Sequence, residues 1–330
     1  MFPLPVDAHR HAWGRFLARL VSSCGLVAVL GLILAQAPSP STAYALDLPA
    51  VGFPAPLSQG APNAARGRQP AAESILLKDL STGRTLYEFE PERHLSPASL
   101  TKIMTALVIL EIGELQDPVT VSREAAIARK IHLRLRAGQV FTLEDLLKAM
   151  LITSANDACL AAVEHVAGSE DSFVSRMNAK ARAFGLWNTH FSNACGFDAP
   201  DHYTTAADLA ALSELALQHP VFRSLVRREV EVISPLNGHR QYILRNTNRL
   251  LGRMPGVEGI KTGFTARAGR CLVAKVSQDG KEILLVLLNS RRRWNTAATL
   301  IQYGLGNLEA TATGVRYSQS GSLGGSEDSR

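Results

Sequence analysis

Glu282-Ile283-Leu284-Leu285-Val286-Leu287-Leu288 follows closely on Leu272-Val273-Ala274-Lys275-Val276, with Asp279-Gly280 between them. Two apolar, β-branched runs around an Asp-Gly pair predict a β-hairpin. A second hairpin is predicted far upstream: Ser74-Ile75-Leu76-Leu77-Lys78-Asp79-Leu80 turns at Ser81-Thr82-Gly83 and returns as Arg84-Thr85-Leu86-Tyr87-Glu88-Phe89. Between these ends the apolar residues take helical spacing. Helices are predicted over Ile103 to Ile112, Thr142 to Thr153, Asp157 to Val166, Ser172 to Phe184 and Thr205 to Gln218. Thr142-Leu143-Glu144-Asp145 has the form of a helix N-cap with acidic residues in the first turn. Val230-Glu231-Val232-Ile233 and Gln241-Tyr242-Ile243-Leu244 flank Asn237-Gly238, a further predicted hairpin turn, and a helix from Trp294 to Tyr303 closes the region. Strands at both ends that enclose a block of helices predict an α+β domain. It would consist of an antiparallel sheet flanked by helices plus an all-helical lobe, with a cleft between them.

The chain has 330 residues, 46% hydrophobic and 19% charged, ordinary for a globular protein with a sizeable core. Its net charge of +6 is carried mostly by arginine, so a lysine at a motif position is informative. The mild positive balance fits loose attraction to an anionic envelope or membrane surface. No run interleaves basic and stacking aromatic residues, so nucleic acid is not an expected partner. The nine histidines show no HExxH spacing and no CxxC pair occurs, so neither a metal nor another cofactor is expected.

Arg10, Arg15 and Arg19 precede an apolar run from Leu20 to Ala35, followed by Ala35-Gln36-Ala37 and Ala43-Tyr44-Ala45. This is the order of a secretory signal, with an uncleaved N-terminal anchor in contact with the membrane as the alternative. The expected organisation is a signal or anchor over residues 1–45 and a Pro-, Ala- and Gly-rich linker over 46–72. A folded domain follows over 73–309, then a Ser- and Gly-rich tail over 310–330. Export would place the domain in the periplasm or on the outer face of the cytoplasmic membrane. Cys159, Cys195 and Cys271 remain in the folded region. An exported chain could form one disulfide from them, but the preferred reading is three small buried thiols.

Ser99-Leu100-Thr101-Lys102 places a hydroxyl and an amine on one face of a helical turn. There an amine can take the proton of a serine that attacks a carbonyl. Ser154-Ala155-Asn156, between two predicted helices, offers a second hydroxyl to relay protons and an amide to hold a backbone carbonyl. Lys261-Thr262-Gly263 lies beside strand-like sequence. A cation next to a hydroxyl suits a terminal carboxylate, and Gly263 leaves room for a ligand backbone along the strand. Each motif alone also reads as ordinary structure: a capped helix, a helix–helix turn, a surface turn. The three in this order form a known catalytic set, and their predicted contexts are those the chemistry needs.

With these motifs the chain resembles the low-molecular-mass penicillin-binding proteins, the serine-type D-alanyl-D-alanine carboxypeptidases, from about Ser74 to Tyr303. The resemblance extends through Pro97 to Ala106, Ser154 to Ala158, His202-Tyr203-Thr204-Thr205-Ala206-Ala207-Asp208-Leu209 and Gly259 to Thr265. It implies the β-lactamase/DD-peptidase fold and catalysis by Ser99 as nucleophile, Lys102 as general base and Ser154 as relay. It also implies substrate binding by Asn156, Lys261, Thr262, Gly263 and Phe264, with the Ser99 and Phe264 N–H groups as oxyanion hole. Peptidoglycan stem peptides are the implied partners and β-lactams the implied covalent inhibitors. His202, Thr205 and Asp208 are read as structural supports. Asp201 stands where the family has glycine, and Cys195 where a residue such as proline is expected.

Three other readings compete with this one. A class A β-lactamase carries a water-activating glutamate in a Glu-x-x-Leu-Asn segment. Glu164 and Glu170 lack that context, so slow release of penicillin is expected. A D,D-endopeptidase cutting cross-links is the serious alternative, which the short stretch beyond the catalytic region also fits. A non-catalytic penicillin-fold module that only binds wall peptides would lack the nucleophile or base, and both are present.

Overall fold

The computed structural model describes residues 71–128 and 131–312. The expected export segment, the linker up to residue 70 and residues 313–330 of the expected tail lie outside these. β1 (Ala72–Asp79) and β2 (Thr85–Phe89) form the first hairpin. Its turn is organised by the Asp79 carboxylate, which accepts from the Ser81 N–H at 2.9 Å and from the Ser81 hydroxyl at 2.6 Å. Gly83 takes the left-handed conformation (φ 74°) that this turn requires. A 3₁₀ turn (Ala98–Thr101) leads into α1 (Lys102–Ile112). A small sheet of β3 (Pro118–Thr120) and β4 (Val140–Thr142) brackets the short α2 (Arg123–Ala126). Then come α3 (Leu143–Ile152), α4 (Asn156–Ala167), α5 (Glu170–Ala183), α6 (Ala206–Gln218) and α7 (Pro220–Val226). The hydroxyls of Thr142, Ser169 and Thr205 cap α3, α5 and α6 by accepting the N–H three residues on. β5 (Val230–Ile233) pairs with β6 (Tyr242–Arg245), and β7 (Val257–Thr265), β8 (Gly269–Gln278), β9 (Lys281–Ser290) and α8 (Arg293–Ala312) complete the fold.

The main sheet is antiparallel with order β2-β1-β9-β8-β7, so strands from both ends of the folded region meet at β1 and β9. β9 is apolar on both faces because both faces are covered. Leu284, Val286 and Leu288 pack into the core that holds α1, α3, α4 and α6. Ile283, Leu285 and Leu287 pack with Leu77, Leu272, Ala274 and Val276 against Ala297, Leu300 and Ile301 of α8. Each of the leucine, isoleucine and valine side chains contributes about 1.5–3 kcal/mol by leaving water. The β8–β9 turn is the predicted one: Asp279 and Gly280 both have positive φ (51° and 74°), and Gln278 pairs directly with Lys281. On the helical side α1 is buried among α3, α4, α5 and α6, which fixes its N-terminal turn against the sheet.

The α+β reading therefore describes the molecule, with local departures. Asn237-Gly238 is not a tight turn. The β5–β6 connection runs over residues 234–241, and the Asn237 side chain leaves it to accept the Val140 N–H at 2.9 Å and donate to the Gly138 carbonyl at 2.8 Å. The two strands still pair as a hairpin, and these bonds hold the tip of its longer connection. The β3–β4 pair, α2 and α7 were not anticipated, since each is too short to carry a hydrophobic period. α8 runs on to Ala312, past the expected start of the tail at 310.

Candidate active site

The first motif sits on the 3₁₀ turn. Pro97 precedes it, Ala98 holds φ 49°, and Ser99 is partly exposed above the buried Leu100 and Thr101. A left-handed alanine is strained and persists only where its surroundings hold it. Here Thr101 Oγ1 donates to the Ala98 carbonyl at 2.8 Å and lies 2.7 Å from His202 Nε2. His202 Nδ1 accepts the Ser192 N–H at 2.9 Å, so the imidazole carries its proton on Nε2 and donates it to Thr101. Burial, and then the nearby His190, push the His202 pKa down to about 4, so this chain of bonds keeps one polarity at neutral pH. Gly196 backs the turn from outside: a Cβ there would overlap the Ala98 carbonyl.

Lys102 opens α1 directly below Ser99, and its side chain is 0% exposed. Its Nζ lies 3.1 Å from Ser99 Oγ, 2.8 Å from Asn156 Oδ1 and 2.5 Å from the Cys195 carbonyl. Burial holds its pKa well below the usual lysine range, and the charge of Lys261 adds to the effect. A neutral amine has two N–H bonds and one lone pair. If the two carbonyl oxygens take the N–H bonds, the lone pair faces the Ser99 hydroxyl.

The second motif is the joint between α3 and α4. Ser154 has φ 65°, and its buried Oγ has no hydrogen-bond partner among the described residues. Asn156 starts α4 and reaches Lys102; its N–H donates to the Ile131 carbonyl at 2.8 Å. The buried Asp157 beside it accepts the N–H groups of Leu133 (3.2 Å) and Leu135 (3.0 Å), tying that loop to the motif.

The third motif lies on β7, the edge strand nearest the 3₁₀ turn. Lys261 is 1% exposed and donates to the Thr262 carbonyl at 3.2 Å. Burial, with the nearby Arg293, lowers its pKa to about 7. Thr262 Oγ1 lies 2.6 Å from Thr247 Oγ1. A Cβ on Gly263 would stand 2.9 Å from the Pro97 carbonyl and 3.3 Å from the Ser99 N, so only glycine lets β7 pass this close to the Ser99 turn. Phe264, next along, is 57% exposed.

The structure thus gathers Ser99, Lys102 and Asn156 by direct contact and sets Gly263 against them. Ser154 lies in the same joint as Asn156, and Lys261, Thr262 and Phe264 share the strand of Gly263. His202, Thr205 and Asp208 occupy supporting places: His202 braces Thr101, Thr205 caps α6, and Asp208 accepts from the Asn188 N–H and the Thr189 hydroxyl. Two participants were missed. Arg293 donates to the carbonyls of Gly263 and Cys271 (2.9 Å each) and so buttresses β7; only its place in Arg291-Arg292-Arg293 after β9 could have flagged it. The Cys195 carbonyl on Lys102 is backbone and has no sequence signature. The preferred reading of three free thiols is also corrected: Cys159 and Cys195 form a disulfide, with Cα atoms 6.1 Å apart, and only Cys271 is a free, buried thiol among the described cysteines.

Comparison with known proteins gives the family and the fold. The family profile of Peptidase S11, D-alanyl-D-alanine carboxypeptidase, matches residues 61–292. The carboxypeptidase DacF of Bacillus subtilis is 35% identical over 66% of this chain and 57% of its own length. DacC of Escherichia coli is 36% identical over 71% of this chain and 61% of its own length. The chain therefore spans under two thirds of these two relatives. A D-alanyl-D-alanine endopeptidase of Pseudomonas aeruginosa is 31% identical over 67% of this chain and 72% of its own length. A solved structure of a Streptomyces K15 DD-transpeptidase variant superposes with a TM-score of 0.69 at 28% identity, covering 72% of this chain and 99% of that one. Shared sequence and shared fold lead to one assignment: the chain belongs to the D-alanyl-D-alanine carboxypeptidase family, Peptidase S11.

Proposed function

We propose that the chain is a serine-type D-Ala-D-Ala carboxypeptidase that trims the terminal D-alanine from peptidoglycan stem peptides through an acyl-enzyme. The observation that carries this reading is the buried Lys102 amine, its pKa held low, 3.1 Å from Ser99 Oγ. Lys102 takes the Ser99 proton as Oγ attacks the carbonyl between the two D-alanines. The N–H groups of Ser99 and Phe264 stabilise the oxyanion. As the C–N bond breaks, the proton passes to the departing D-alanine amine by way of the Ser154 hydroxyl, which has no hydrogen-bond partner among the described residues, in support of that role. Water then releases the shortened peptide. Lys261 and Thr262 hold the terminal carboxylate, Asn156 holds the acyl-side amide, and Gly263 and the free edge of β7 accept the peptide as an added strand. A bound carboxylate favours the charged form of Lys261, and that charge in turn favours neutral Lys102.

β-Lactams would acylate Ser99 and leave slowly. The disulfide supports an oxidising compartment, in keeping with export by the N-terminal segment to the periplasm or the outer face of the membrane. Among the described residues no helix is long and apolar enough to cross a membrane; the membrane contact proposed here is that of the apolar N-terminal segment. The similarity to an endopeptidase favours a second reading, cleavage of cross-links by the same site. Incubation with a stem pentapeptide and with cross-linked dimers separates the two: release of D-alanine supports the carboxypeptidase, and loss of dimer alone supports the endopeptidase. Failure of a labelled penicillin to attach at Ser99 would overturn both.

A further inference from the structure

Lys102 has one contact that none of the three motifs supplies, and it comes from a residue with a covalent tether. The Cys195 carbonyl receives the Lys102 amine at 2.5 Å, while the Cys195 sulfur is bonded to Cys159. Cys159 lies on α4 one turn beyond Asn156, the other carbonyl acceptor of the same amine. Noncovalent bonds grip the flanking residues. The Ala194 N–H donates to Glu170 Oε1 at 2.9 Å, the Ala194 carbonyl accepts the Thr105 hydroxyl at 2.5 Å, and the Gly196 and Phe197 N–H groups share Asn193 Oδ1. The disulfide grips Cys195 itself. It joins the two acceptors of Lys102 through one short path, from Asn156 along α4 to Cys159 and across to Cys195.

We infer that the Cys159–Cys195 disulfide is a positioning element for the general base: it fixes the Cys195 carbonyl so that the two acceptors aim the Lys102 lone pair at Ser99. This rests on the reading of Lys102 as base. The titratable groups that bear on Lys102 are Lys261 from β7 and His202 from the loop before α6, and neither is on the tethered segment. A disulfide that merely stabilised the fold would change melting and leave the folded enzyme's chemistry alone. One that aims the base changes the acylation rate and its pH dependence. Misplacing a catalytic group by about 1 Å costs on the order of a hundredfold in rate.

The test compares the full-length parent, the Cys159→Ala/Cys195→Ala double variant, and the folded parent reduced with tris(2-carboxyethyl)phosphine. In the last case the S–S bond breaks to two thiols, and the phosphine becomes its oxide with oxygen and protons drawn from water. The acylation rate with a fluorescent penicillin is followed across pH at saturating probe, alongside melting. The expected result is acylation about tenfold to a hundredfold slower at neutral pH, with binding of the probe before acylation changed less than about twofold. The acid limb of the profile also moves to lower pH, because a carbonyl that accepted from the ammonium had favoured the charged form. The inference is overturned if the double variant acylates within about twofold of the parent with its acid limb unmoved. If that variant does not melt cooperatively, the same outcome in the reduced parent overturns it. A parent that is never labelled at Ser99 overturns the functional reading, and this inference with it.

Discussion

β9 and β7 are strands of one sheet with only β8 between them, and they are buried in opposite ways. β9 is central and buries Ile283 through Leu288 on both faces. β7 is at the edge and buries Lys261, Thr262 and Thr265. The first pattern follows the hydrophobic effect and contributes stability in proportion to apolar area. The second goes against it, since a buried lysine loses hydration and must neutralise or find partners. The same fold thus holds one region built for stability and one in which stability is given up for reactive groups.

That contrast can be broken most sharply at the nucleophile turn. Ser99→Ala is expected to lower D-alanine release by at least about a thousandfold while melting barely moves. Lys102→Met should be equally inactive yet melt higher than the parent, because it removes a buried amine. A Lys102→Met variant that melts lower would show that the site is not a cost to the fold. Leu285→Ala on β9 is the mirror image. A loss of about 2–5 kcal/mol in denaturant unfolding is expected, with the acylation rate of the folded fraction unchanged.

Thr101→Val probes the border between the two regions. It leaves the His202 Nε2–H and the Ala98 carbonyl without their shared partner. A loss of about 1–3 kcal/mol is expected, together with slower acylation, because the 3₁₀ turn is no longer held. Wild-type acylation with reduced stability would assign the chain of bonds to folding alone. The smallest effect is that of pH on stability. Lys261 has a pKa of about 7 in the fold against 10.5 for an ordinary lysine, so between these the unfolded chain binds more protons. Its contribution to stability is complete above the unfolded value and is lost as pH falls through about 7. Melting followed from pH 7 upward should therefore rise less steeply in Lys261→Met than in the parent.

Much of this was legible in the sequence because it is local. Asp279-Gly280 specified its hairpin through two positive φ angles, and Thr142, with Asp145 three residues on, specified a helix start through one hydrogen bond. The order of Ser99, Lys102, Ser154, Asn156 and Lys261-Thr262-Gly263 was enough to name a chemistry. Other features depended on partners far along the chain. Asn237-Gly238 has the residues of a tight turn, yet the Asn237 side chain is taken by Val140 and Gly138. Cys159 and Cys195 are 36 residues apart, and nothing in their neighbourhoods distinguishes a bonded pair from two buried thiols.

By itself the sequence determined the class of fold and the family, since period, turn chemistry and motif order are properties of neighbouring residues. Only the tertiary structure decided how the Lys102 amine is held: by Asn156 from α4, by a backbone carbonyl from the loop at Cys195, and under the charge of Lys261 from β7. Whether an amine on a helix is a solvated surface charge or a neutral base depends on what the fold packs around it, and every group that does so here beyond Ser99 comes from a different element of the chain.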